Sequence, residues 1–240
     1  MVDPVRLQKF LAAAGVCSRR KAEKMILQRR VAVNGNIVTR LGTRLQADTD
    51  RVTVDGQAVT TVKTLVYIML NKPVGVVTSC SHPGQRTVLD LVHVKERIYP
   101  VGRLDKDSRG LLLLTSDGGL HHRLLHPSFD HEKEYEAEVD GYIPDGALRH
   151  LADGVMLKGR RTRPAAIERL SGRRFRITLK EGRNRQVRRM VGKVGRRVIN
   201  LKRVRVAGIR LGRLPEGSWR HLTAREKKLL LKAVHPDHAL

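Results

Sequence analysis

The chain has 240 residues, of which 48 are Lys or Arg and 23 Asp or Glu, for a net charge of +25. Apolar residues make up 40% of it, enough for a folded core and too many for a wholly disordered chain, and no apolar run approaches the ~20 residues of a membrane span. Two distant cysteines, Cys17 and Cys80, exclude a disulfide framework or a four-cysteine metal site; with an N-terminus that starts no signal peptide, they point to the cytoplasm. The charge is concentrated: residues 158–213 hold 21 Lys or Arg against two Asp or Glu. Such a density of like charge calls for a polyanion, and nucleic acid fits better than a membrane surface because no amphipathic helix carries large apolar anchors.

In chain order, Asp3-Pro4 reads as a helix start, with Leu7, Phe10, Leu11 and Ala14 at helical spacing and Gly15 as the stop. Ser18 caps a second helix whose apolar face is Ala22, Met25 and Ile26. Arg19, Arg20, Lys21 and Lys24 crowd its first turns against the macrodipole, a cost that a phosphate would relieve. Hairpins follow around Asn34-Gly35 and Asp55-Gly56. The stretches Arg6-Leu7-Gln8-Lys9-Phe10-Leu11, Ser18-Arg19-Arg20-Lys21-Ala22 and Val31-Ala32-Val33-Asn34-Gly35 resemble the S4 RNA-binding domain. The resemblance places a domain at residues 3–62 and implies RNA contacts from Arg6, Lys9, Ser18, Arg19, Arg20, Lys21, Lys24 and Asn34.

A polar linker at Thr60–Thr64 leads to a second domain over residues 65–240. Strands are expected at Leu65–Leu70, ended by Lys72-Pro73-Val74-Gly75, and at Leu111–Thr115, Lys133–Asp140 and Arg173–Leu179. Helices are expected at Gly119–His126, ended by Pro127, and at Ile143–Asp153 with Pro144 at its start. A third runs over Arg185–Val194 with Asn184 as cap and Gly195 as stop, and a capping box at Thr223-Ala224-Arg225-Glu226 opens a last one. Strands and helices alternate without a βαβ rhythm, so the fold class is α+β.

The densest chemical signal is the run from Gly102 to Gly118, in which a polar loop with Asp105 and Asp107 feeds an apolar strand. Loops anchored on a core strand are where catalytic groups sit. Arg103, Lys106 and Arg109 favour an ionised Asp105, a nucleophile or base more than an acid. A turn whose aspartates cap backbone amides is the competing reading. His121, His122, His126 and His131 lack zinc-ligand spacing, so no metal is expected.

Gly102-Arg103-Leu104-Asp105, followed by Gly110, an apolar run and Asp117-Gly118, closely resembles the catalytic motif of pseudouridine synthases of the RsuA/RluB branch. Lys72-Pro73-Val74-Gly75, Lys133-Glu134-Tyr135 and Glu181 through Met190 match further motifs in the family's order; Ser108 stands where Thr is common. The resemblance implies a catalytic domain on a mixed, mostly antiparallel sheet flanked by helices, working without a cofactor. It implies Asp105 as the nucleophilic carboxylate, Tyr135 against the extruded uracil and Arg188 paired with the catalytic aspartate. Arg103, Leu201, Arg185 and Lys72 would line the substrate, and Arg183 and Arg189 would contact RNA. The expected partner is structured ribosomal RNA, and a monomer is the simplest state. Residues 79–91 look more like the enzymes of the large subunit than those of the small one. Small-subunit rRNA or tRNA as substrate, or a non-catalytic RNA-binding assembly factor, are the alternatives.

Overall fold

The computed structural model describes residues 3–60, 64–125 and 130–234. They form two compact units, one holding the residues up to Val66 with Ser116–Gly118, the other Tyr67–Thr115 and the chain from Gly119 onward. Most of the expected linker (61–63), His126 and Pro127 lie outside the described residues.

The first unit runs β1 (Val5–Arg6), α1 (Leu7–Ala13), α2 (Arg19–Leu27), β2 (Val31–Val33), β3 (Asn36–Ile37), β4 (Arg44–Leu45), β5 (Val52–Val54) and β6 (Gln57–Ala58). Leu7, Leu11, Ala22 and Ile26, spaced to face one another, are fully buried with Val31 and Val52 beside them. Ser18 Oγ accepts from Lys21 N at 3.2 Å, as a cap should. The helix expected from Asp3-Pro4 starts later. Val5 and Arg6 are extended and pair with Leu45 and Arg44, while Leu7 N donates to Thr43 O, so the cap is Arg6 and Pro4 precedes a strand. The turns at Asn34-Gly35 and Asp55-Gly56 have φ of 51° and 80°, and 51° and 79°, the left-handed pairs that two-residue hairpins need.

The second unit is a nine-stranded sheet. Its elements are β7 (Tyr67–Lys72), a 3-10 turn (Val88–Leu91), β8 (Tyr99–Val101), β9 (Arg109–Thr115), α3 (Gly118–Leu125), β10 (Lys133–Val139), α4 (Asp145–Asp153), β11 (Met156–Leu157), β12 (Arg160–Arg161), β13 (Ala166–Arg169), β14 (Arg174–Leu179), α5 (Gln186–Lys193), β15 (Val198–Val206), β16 (Ile209–Arg210), β17 (Trp219–His221) and α6 (Ala224–Val234). The strand order is β13-β14-β10-β15-β9-β7-β17, with β8 on β9 and β16 on β15; β11 and β12 pair apart from it. Among the described strands of this sheet, only β15 and β9 pair in parallel. The mixed, mostly antiparallel sheet expected is therefore present.

Alternation along the strands sorts two cores onto opposite faces. Leu111 and Leu113 pack with Met69, α3 and α6. Ala137, Val139, Phe175, Ile177 and Leu201 pack under α4 and α5. Beyond the second core, the outward face of β10 carries Glu134, Glu136 and Glu138, flanked by basic β14 and β15. Arg176 lies 3.1 Å from Glu136 and 3.6 Å from Glu134, and Arg205 lies 2.9 Å from both Glu132 and Glu134. Part of the basic segment is thus neutralised across strands by acids from outside it, which a count along the chain does not reveal.

Several boundaries move. The first strand of the sheet runs Tyr67–Lys72, two residues beyond the expected Leu65–Leu70, and Leu65 is exposed. Pro144 precedes α4 as its cap. The cap of α5 is Arg185, in the left-handed region at φ 51°, and the expected cap Asn184 instead accepts from Arg189 at 2.7 Å.

Candidate active site

The loop from Arg103 to Ser108 is held by its backbone. Every carbonyl in it accepts a hydrogen bond. Arg103 O accepts from Arg203 Nη1 at 3.5 Å, Leu104 O from Thr78 Oγ1 at 2.8 Å, and Lys106 O from Gly75 N at 2.8 Å. Asp105 O accepts from Lys72 Nζ at 3.1 Å and from Ser108 N at 3.0 Å. Asp107 O accepts from Arg188 Nη2 and Ser108 O from Lys72 Nζ, both at 2.8 Å. A loop with all its acceptors satisfied from its own frame holds its side chains in fixed directions, the preorganisation a reactive group requires.

Two buried cations supply three of these seven bonds. Lys72 is 0% exposed, and its ammonium donates to the carbonyls of Pro73, Asp105 and Ser108. Burial pushes its pKa down to about 8, with Asp107 and Asp105 pulling the other way. Lys72 is therefore a buttress under the loop, and its ammonium does not face a substrate as expected. Arg203 is buried too, and its Nε donates to Leu111 O at 2.7 Å. Its backbone crosses Gly110 so closely that a Cβ on Gly110, at φ +105°, would stand 2.3 Å from Arg203 O. Gly110 is glycine because β15 and β9 meet there.

Above the loop, two carboxylates divide the cations of α5. Arg185 Nη1 and Nη2 donate to the two oxygens of Asp107 at 2.9 and 2.8 Å, and Nη1 stands 3.8 Å from Asp105. Arg188 Nε lies 3.4 Å from Asp107, and its other nitrogens reach Val198 O, Asp107 O and Ser108 Oγ. The Arg188 partner is thus Asp107, where the family resemblance implied Asp105. The Arg185 guanidinium holds the Asp107 carboxyl below the usual carboxylate range, while burial pushes Arg188 below the usual guanidinium range. Asp105 keeps a side chain 30% exposed and, among the described residues, a single cation at the edge of contact. That is a carboxylate with a guanidinium close by and its own oxygens left uncovered. Ser108 is buried and its hydroxyl faces Arg188, which explains a small hydroxyl there.

Across the sheet Tyr135, Arg203 and Gly110 are in register on β10, β15 and β9. Two strand spacings, about 10 Å, separate Tyr135 from the start of β9. Tyr135 is half-buried against the α4–α5 core, which also takes Leu201 as an ordinary core residue. Arg103 is exposed. Arg183, expected to contact RNA, is engaged within the chain: Nη1 and Nη2 donate to Arg160 O and Arg161 O at 2.9 and 2.7 Å, and Nε to Glu181 at 3.2 Å. Arg189 is engaged with Asn184. Sequence reasoning missed Asp107, Thr78 and Arg203 as parts of the site. Asp107 has its signal in the motif itself, but Thr78 and Arg203 have none apart from the fold.

In the first unit, Arg6, Lys9, Arg19, Arg20, Lys21 and Lys24 are exposed, and none forms an ion pair among the described residues. α2 has no acid in its first turn. Asn34 is engaged internally: Nδ2 donates to Asp50 and Oδ1 accepts from Arg51 N, both at 2.9 Å. Ser18 serves its cap.

Both units have counterparts among known proteins. Residues 66–193 match the RNA pseudouridylate synthase family and residues 5–50 the S4 domain. The chain is 43% identical over 243 residues to the ribosomal large subunit pseudouridine synthase B of Bacillus subtilis, covering 98% of this chain and 99% of that one. It is 42% identical to an uncharacterized RNA pseudouridine synthase of Aquifex aeolicus (96% and 95% covered), and 39% identical to the dual-specificity RNA pseudouridine synthase RluF of Escherichia coli K12 (96% and 79%). A crystal structure of a pseudouridylate synthase superposes with a TM-score of 0.70 at 33% identity, covering 94% of this chain and 99% of that one. A held aspartate loop beneath an arginine helix, in a chain that also carries an S4 unit, defines an RNA-modifying enzyme. The chain belongs to the RNA pseudouridylate synthase family.

Proposed function

We propose that this protein isomerises a uridine of large-subunit ribosomal RNA to pseudouridine, with Asp105 as nucleophile. The observation that carries the reading is the Asp105 carboxylate, left open on a loop whose every carbonyl from Arg103 to Ser108 is held. The reaction breaks the N1–C1′ bond, turns the uracil and forms C5–C1′; the proton lost from C5 is balanced by one gained at N1. It has no net redox change, and a carboxylate, an aromatic support and a proton acceptor suffice. Tyr135 is the aromatic support, since a tyrosine face can hold a flipped base. The exposed cations of α1 and α2 grip structured RNA by its phosphates. The name of the full-length Bacillus subtilis relative supports the large subunit as substrate. Among the described residues no helix is long and apolar enough to cross a membrane, and the proposed setting is a cytoplasmic monomer.

Carbodiimide primer extension on rRNA from cells lacking the gene, complemented with wild type or Asp105→Asn, tests this. Loss of one large-subunit pseudouridine, restored by wild type alone, is expected. Restoration by Asp105→Asn removes Asp105 as nucleophile, and a lost site in the small subunit or in tRNA moves the substrate there.

A further inference from the structure

The hairpin β11–β12 plays no part in the site described above, yet it is built rigidly. Lys158 and Gly159 form its two-residue turn at φ 53° and 75°. Its base is closed by Val155 N donating to Thr162 Oγ1 and Thr162 N to Val155 O, both at 2.9 Å. Gly154, at φ +91°, lets Thr162 approach to where a Cβ would stand 2.5 Å from its carbonyl. The guanidinium of Arg183 clamps the carbonyls of Arg160 and Arg161. Arg183 is two residues from Arg185, so one short loop grips both the hairpin and the aspartate loop, at most about 7 Å of chain apart.

What this frame presents is positive charge without a carboxylate partner among the described residues; Arg161 Nη2 reaches only a backbone carbonyl, that of Asp153, at 3.4 Å. Residues 154–167 contain Lys158, Arg160, Arg161 and Arg163 and no acid. Arg163 is paired with Asp130. Lys158, Arg160 and Arg161 are exposed and form no ion pair among the described residues. This contrasts with Arg176 and Arg205 on the sheet, which the β10 glutamates hold. Beside the hairpin a cavity of about 220 Å³ is lined by Arg161, Lys193 and His150 with Met156 and Val155. Adjacent like charges on a stiff two-stranded ribbon repel, and an anion between them relieves the repulsion.

We propose that the β11–β12 hairpin is a second RNA grip, seating backbone phosphates that flank the target uridine, with Arg161 and Lys193 closing on one of them. This rests on the reading of the substrate as RNA. Each phosphate neutralised adds about 0.7–0.9 to the slope of log affinity against log salt.

The test compares Lys158→Ala/Arg160→Ala/Arg161→Ala with Arg225→Ala/Lys228→Ala/Lys232→Ala on α6, which removes equal charge from exposed positions elsewhere. Affinity for a short RNA stem-loop is read by fluorescence anisotropy across a KCl series. The hairpin variant should lose about two to three from the slope, at about 0.7–0.9 per contact, and at least about tenfold in affinity at low salt. The α6 variant should lose less than about one. An unchanged slope in the hairpin variant, or equal losses in both, overturns the proposal. Turnover by Asp105→Asn at the wild-type rate would overturn the enzyme reading and leave the slope comparison standing. No RNA binding by the wild type would remove both grips at once.

Discussion

Arg185 grips Asp107 through both terminal nitrogens, at 2.9 and 2.8 Å, and stands only 3.8 Å from Asp105. Two carboxylates two residues apart therefore have different duties. Asp107 anchors the cations of α5, and Asp105 keeps their field without being capped by them. The left-handed backbone at Arg185, φ 51°, is a strain of about 1 kcal/mol that aims the side chain into this gap.

Removing the charge of Asp107 should redirect Arg185 onto Asp105. Asp107→Asn is expected to lower the single-turnover rate about 10- to 100-fold with little change in RNA affinity, the scale on which small misplacements act. Adding Arg185→Gln to that variant should recover part of the loss, because the freed cation is then gone. A double variant slower than the single one would show that Asp107 acts by simple scaffolding.

Lys72 supports the same loop from below. Lys72→Met leaves the carbonyls of Pro73, Asp105 and Ser108 without this donor in a fully buried place. At about 1–3 kcal/mol for each buried group left unmade, the protein should lose at least about 2 kcal/mol of stability. Urea midpoints measure it. Lys72→Arg should fare little better, because a planar fork cannot meet three carbonyls placed around a compact ammonium. A midpoint unchanged in Lys72→Met would mean that the loop holds without its buttress.

How much of this was legible beforehand follows from what each signal depends on. Local chemistry read well: the Ser18 cap, both left-handed turns and the Thr223–Glu226 capping box stand where residue type alone places them. So did the apolar strands Tyr67–Lys72 and Arg109–Thr115, within two residues. The nine-residue strand β15 was hidden because Lys202, Arg203 and Arg205 break its apolar alternation, and Arg203 is buried for the sake of carbonyls far away in the chain. Val5 and Arg6 became a strand through pairing with Arg44 and Leu45, a partner no local pattern announces. In the site, Asp105 was visible in its motif. The division of cations between Asp105 and Asp107 was not, since it depends on which rotamer of which arginine the fold selects.

Gly110 tests the parallel junction directly. Gly110→Ala places a methyl where β15 already has backbone and demands φ near +105° from a residue that avoids it. The expected result is a loss of about 3 kcal/mol or more in stability, with turnover abolished as Arg203 and the loop it holds separate. Gly35→Ala, at a positive φ with open space around it, should cost only about 1 kcal/mol. Equal thermal midpoints for the two variants would refute the close approach at Gly110.

The C-terminal helix supplies a pH prediction. Glu226 pairs with Arg220 at 2.7 Å and accepts from Thr223 N at 2.8 Å, and these contacts, the Arg220 hydrogen bond foremost, hold its carboxyl down at about 2 from an ordinary 4.5. A carboxyl depressed on folding stabilises the native state above its unfolded pKa, and that contribution drains away as pH falls from about 4.5 to about 2. Arg220 is 38% exposed, so solvent screening reduces the contribution to about 1 kcal/mol. Glu226→Gln should therefore unfold about 1 kcal/mol more readily than wild type near neutral pH, and the two should converge by about pH 2. Urea unfolding at pH 7, 4 and 2.5 reads this difference; a gap that stays constant over the series would mean that the ion pair contributes nothing and the hydrogen-bonded cap alone supports α6.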